Sequence, residues 1–135
     1  RRFIRLRRQG SWCALLRLRD GAPAGAAFAG WDANALSPAT DVYAIHHPAG
    51  DLKKVSSGQH VVARSDASSH AVRWLRGSTE GGSSGSGLFT ASGGHFHLRG
   101  GLHGGSASCP NSGSTDAANT DWYSRFDIDF PAFRP

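Results

Sequence analysis

Residues 79–89, TEGGSSGSGLF, place three serines among four glycines. A serine hydroxyl is a poor nucleophile until a base takes its proton. The attack also needs backbone N–H groups aimed at the oxygen of the carbonyl under attack. A glycine-rich turn allows the tight bend and the close approach of substrate that such chemistry requires. The same composition can also be a flexible linker. The flanks, AVRWLRGS before (71–78) and LFTA after (88–91), have strand character. A connection between two strands of one folded body favours a shaped turn, with the linker kept as the alternative. His95 and His97 are two apart, so on a strand they share a face, as zinc ligands can. No cysteine or acid stands at ligand spacing from them, so neither a metal nor another cofactor is expected.

The elements around this turn read as short strands. Apolar runs of strand length occur at 14–18, 26–31, 42–47, 60–64, 71–75, 86–89, 95–105 and 122–130. Turn clusters rich in Gly, Pro, Asn, Asp and Ser separate them, at 20–25, 32–41, 48–51, 91–94 and 108–121. No window keeps a helical apolar stripe free of Gly or Pro, and no fixed repeat exists. Strands at this spacing indicate an all-β sandwich or barrel.

At 135 residues the chain is at most one domain. It opens on Arg1 and contains no methionine, so it is expected to be a piece of a longer polypeptide. No apolar run is long enough to span a membrane, so no membrane partner is expected. The net charge of +5 suggests a nucleic-acid or membrane-surface partner until it is located. Residues 1–20 hold seven Arg and one Asp, whereas the rest of the chain is slightly acidic. The basic character therefore belongs to the head, RRFIRLRRQG, and the body is not a nucleic-acid binder on charge grounds. Cys13 and Cys109 permit one disulfide without demanding it.

GSTEGGSSGS followed by LF resembles the nucleophile loop of trypsin-like serine endopeptidases, in the variant of the lysyl-endopeptidase group. HHPAGDLKK before it, then GLHGGSASC and TDWYSRF, agree with that group in the same order, from about Leu15 to Phe126. The resemblance implies an antiparallel β-barrel corresponding to the second barrel of a chymotrypsin-like two-barrel fold, here residues 14–135 behind a basic head at 1–13. It implies Ser84 as nucleophile, with the Gly82 and Ser84 N–H groups as oxyanion hole. Ser78 falls at the base of the primary specificity pocket and, being neutral, would not hold a cation alone. Asp121 matches the acid that selects lysine in this group, with Asp116 as reserve; the plain alternative for Asp121 is an exposed loop acid. Residues 102–105, LHGG, match the strand that pairs with substrate, so that His103, Gly104 and Gly105 become substrate-binding residues. For His103 the alternative is a histidine satisfied within a sheet face. His46 and His47 are expected to serve packing and turn geometry. Ser83 stands where many relatives carry an Asp that pairs with a freshly cut N-terminus, so that charge-pair switch is not available.

A serine triad also needs a base and an orienting acid. The resemblance places the base in a first barrel, in an A-A-H-C-type block that this sequence lacks. The position of the acid holds Trp12, whose indole can only donate. The expected function is thus a lysine-directed serine endopeptidase whose base and acid lie outside this chain, inactive as the isolated chain. The expected partners are lysine-containing peptides or proteins and the missing first barrel. Secretion by a bacterium is implied by the same resemblance. The rival readings are a non-catalytic peptide-binding remnant and an Arg-rich nucleic-acid binder acting through residues 1–19.

Overall fold

The computed structural model describes residues 4–7, 14–18 and 20–133. Strands β1 (Ile4–Arg7) and β2 (Ala14–Arg17) form an antiparallel pair of their own. A two-residue strand, β3 (Gly30–Trp31), pairs in parallel with His97 and Leu98 of the barrel. The barrel consists of β4 (Asp41–His46), β5 (Lys54–His60), β6 (Ser69–Arg76), β7 (Gly87–Ser92), β8 (His95–Gly105) and β9 (Asp121–Ser124). Each pairs antiparallel with its neighbours in the order β4-β5-β6-β9-β8-β7, and β7 returns to β4, which closes the sheet. The chain is the all-β, antiparallel barrel that the sequence indicated.

Side chains alternate between the barrel interior and its surface, as the pleat requires. Val42, Ala44, Val72, Trp74, Leu88, Leu102 and Tyr123 fill the interior. Trp74 and Tyr123 meet edge to face, with ring centroids 6.2 Å apart. The β7–β8 hairpin turns through Gly93 and Gly94, both with positive φ, as a two-residue turn of matching twist needs.

Three expected strands are placed differently. Instead of a strand at 60–64, the structure has β5 at Lys54–His60 and a 3-10 turn at Val62–Arg64. The inward residues of β5 are Ser56, Gly58 and His60, so its buried face carries no apolar signal. Gly58 is required there, because a Cβ would meet the Arg73 carbonyl oxygen at 2.2 Å. The run 26–31 keeps only β3. The run 122–130 is a strand only to Ser124; one α-helical turn, α1 (Phe126–Asp129), follows. The period-two look of FDIDF misleads because Phe126 and Phe130, four residues apart, pack against each other and against Trp31 with tilted or edge-on rings.

Candidate functional site

The glycine–serine run connects β6 to β7 and is tied down along its length, so the linker alternative does not hold. Ser83 N–H donates to the Glu80 carbonyl (3.0 Å) and Ser86 N–H to that of Ser83 (3.1 Å). Gly85 N–H donates to the Leu102 carbonyl on β8 (2.8 Å), and Leu102 N–H returns a bond to that of Ser86 (2.9 Å). From the other side, Ala49 N–H donates to the Gly81 carbonyl at 2.7 Å. Gly82 has φ +95°, and a Cβ on it would approach the His47 carbonyl oxygen at 3.3 Å. Glycine at 82 therefore answers both a left-handed backbone and a close neighbour.

Within this turn the two adjacent serines face opposite ways. Ser84 is exposed, and its hydroxyl has no hydrogen-bond partner among the described residues. The N–H groups of Gly82 and Ser84 donate to no acceptor there either. Amides and a hydroxyl without such partners are groups that an anion can use. Ser83 is buried, with its Oγ 2.9 Å from Nδ1 of His46. The other ring nitrogen of His46, Nε2, lies 2.9 Å from Ser56 Oγ, which donates to the Ser78 carbonyl at 3.1 Å. Burial holds the His46 pKa below the usual histidine range, opposed by the Asp121 carboxylate and aided by His47. His47 is exposed and reaches the Asp51 carbonyl. Sequence reasoning assigned His46 to packing and turn geometry but missed its contact with the serine turn, since nothing in the spacing of residues 46 and 83 indicates it.

Asp121 is 1% exposed on β9 and is not a loop residue. Its Oδ2 accepts the Trp74 indole N–H at 2.6 Å and the Thr79 hydroxyl. Among the described residues no cation pairs with it. The carboxylate lies where a side chain on Gly105 would go: a Cβ at that position would stand 2.2 Å from Oδ1. Burial pushes the neighbouring Tyr123 phenol far up, and the Asp121 charge adds to the effect. Asp116, by contrast, is exposed and caps its own turn through the Ala118 N–H. Ser78 is buried next to Thr79 and donates its hydroxyl to the Thr79 carbonyl at 3.2 Å. The structure thus brings Thr79, Trp74, Asp121 and Gly105 together, with Ser78 next to Thr79 in the chain.

His103, Gly104 and Gly105 line an open hollow of about 490 Å³, together with Asp66, Ser68, Ser69 and Trp122. The ladder between β8 and β7 stops at Gly101. Leu102 is bonded to the serine turn, and the residues after it pair with β9 alone. Their opposite edge begins where the serine turn ends. His95 is exposed, and His97 lines a separate hollow of about 480 Å³ with Trp31, Asp32 and Phe130. Cys109 is an exposed free thiol; Cys13, its possible partner, and Trp12 lie outside the described residues.

The fold is thus a closed antiparallel β-barrel domain with a pinned, glycine-framed serine turn between β6 and β7. Residues 2–124 match the family described as lysyl endopeptidase, C-terminal domain. The chain belongs to that family. Lysyl endopeptidase of Pseudomonas aeruginosa is 39% identical to it over 117 residues, 83% of this chain. The chain spans 25% of that relative's length.

Proposed function

We propose that this domain is the nucleophile- and specificity-bearing part of a secreted bacterial serine endopeptidase that cleaves after lysine. The observation that carries the reading is Asp121, a buried carboxylate served only by neutral donors. A charge in that setting is costly until a cation reaches it. Lysine's long stem and single point charge suit one acid at the end of a narrow slot. In this reading Ser78 forms the base of the slot and His103 flanks the lysine stem. The substrate backbone adds along residues 103–105 as an extra strand. Ser84 Oγ attacks the carbonyl carbon after that lysine, and the Gly82 and Ser84 N–H groups take the charge that forms on the oxygen. The amine leaves with a proton from the base, and water then hydrolyses the acyl-serine. The base and its orienting acid would come from a partner barrel, so the 135-residue chain alone should hydrolyse peptides far below an intact enzyme.

A hollow beside 103–105 in a chain without its own base also suits the second reading, a domain that holds lysine peptides without cutting them. Two measurements test these readings. Trp74 donates to Asp121, so its fluorescence should respond when a lysine peptide binds, saturably, and not to the same peptide with norleucine. Equal binding of both peptides would overturn the lysine assignment. A fluorophosphonate should label the isolated chain slowly, and rapid stoichiometric labelling of Ser84 would show a base already in place.

A further inference from the structure

Ser83, His46, Ser56 and Ser78 are each at most 5% exposed, and they form one continuous polar path through the barrel wall. Proton bookkeeping fixes its direction. The Ser78 carbonyl can only accept, so Ser56 spends its single proton on it, at 3.1 Å. Ser56 Oγ must then receive a proton from His46, which puts the imidazole hydrogen on Nε2. Nδ1 is left bare and takes the hydroxyl proton of Ser83. Ser83 Oγ in turn receives the Glu80 N–H at 3.4 Å. Each donor in the path meets one acceptor.

We propose that His46 is a positioning residue: a neutral imidazole that locks the turn carrying Gly82 and Ser84 to the carbonyl of Ser78 through this one-way chain of hydrogen bonds. The HHPAGD block grips the same turn a second time through Ala49, which holds a left-handed φ of 51° while donating to Gly81. A second proton on His46 breaks the chain. Nδ1–H and Glu80 N–H would then both point at Ser83 Oγ, and the hydroxyl hydrogen of Ser83 would have no acceptor in a buried site. Several charged or titratable groups face this path. Asp121 approaches from β9 and His47 from the end of β4. Glu80, Asp51, Lys54 and Cys109 surround the hollow behind the turn that Ser56 and Ser78 also line. Asp121 favours the added proton, whereas burial and His47 oppose it.

The inference rests on reading Gly82 and Ser84 as the reacting turn, but its test follows the geometry of the turn and not turnover. Nitrogen-15 NMR of the full chain should find His46 as the Nε2–H tautomer. On acidification the Gly82 and Ser84 amide signals should move with the midpoint of His46 itself. His46→Gln spaces an acceptor and a donor as the ring does, without a titrating proton. It should keep the neutral-pH positions of both amides and abolish their movement. His46→Leu, or Ser83→Ala should the leucine variant not fold, should speed exchange of the Ser83, Gly85 and Ser86 amides about tenfold or more while strand amides hold. An Nδ1–H tautomer, turn amides that ignore the His46 midpoint, or unchanged exchange in Ser83→Ala would each overturn the inference. None of these outcomes bears on lysine binding or Ser84 labelling, so the functional reading stands or falls separately.

Discussion

Asp121 and Asp127 lie six residues apart, both withdrawn from solvent, and they are compensated in opposite ways. Asp127 is gripped by Arg125, whose Nε and second guanidinium nitrogen reach its two oxygens at 3.3 and 2.6 Å. Burial pushes its carboxyl up, but the Arg125 bonds and charge outweigh that and hold it below the usual carboxylate range. His70 stands 3.4 Å from the same carboxylate, and burial lowers its pKa to about 4. At neutral pH the imidazole is therefore uncharged and offers a dipole, not an ion pair. Asp121 has no such company: an indole and a hydroxyl stabilise it, and its counter-charge is not among the described side chains. A completed pair is a fixture of the fold. Asp121 lacks such a partner among the described residues, and this contrast is the support for the cationic substrate group proposed above.

The contrast can be broken most directly at Asp121. Asp121→Asn should cost about 3–4 kcal/mol of lysine-peptide binding, some 10²–10³-fold, because one partner of a desolvated charge pair is removed. The same change should leave urea unfolding unmoved or slightly raise its midpoint, since the buried charge goes with it. Unchanged lysine preference in peptide titrations would end the specificity reading. Asp127→Asn should do the reverse: about 2–3 kcal/mol of stability lost to urea, with Arg125 left unpaired, and lysine binding little changed. A loss of binding as large as that of Asp121→Asn would mean the two acids act as one unit.

Acid should distinguish the two regions more gently. The folded pKa of His70 lies below the unfolded value near 6.5, so the folded state prefers the neutral ring. That contribution is complete above about pH 6.5 and is lost as pH falls toward 4. Between pH 7 and 5 the loss from His70 should be about 2 kcal/mol, and His46 adds in the same direction. Urea midpoints measured across this range should fall for the native chain and flatten in His70→Gln. A parallel decline in the variant would assign the acid sensitivity elsewhere.

Much of the barrel could be read from strands whose inward residues are apolar: β4 through Val42 and Ala44, β6 through Val72 and Trp74, and β8 through Leu102. The reading slipped at β5, where Ser56, Gly58 and His60 face inward, and after Ser124, where aromatic packing winds a pattern that alternates like a strand into a helical turn. At the candidate site the local motifs marked the serine turn, LHGG and DWYSR. They did not reveal that Ser83 faces inward, that His46 meets it, or that Trp74 and Thr79 supply the donors to Asp121.

The sequence by itself determined the strand periodicity, the demand for glycine in the turn and the presence of a hydroxyl, a carboxylate and the LHGG segment. These are properties of neighbouring residues, and sterics and alternation act over a few positions at a time. Only the tertiary structure decided which acid is paired and which is not, and which of two adjacent serines is turned outward. Closure of the sheet brings β9 against β6 and β8, and lays the end of β4 beside the turn. The cost of burying a polar group depends on those distant partners, and so the chemistry of the site emerges only once the barrel has closed.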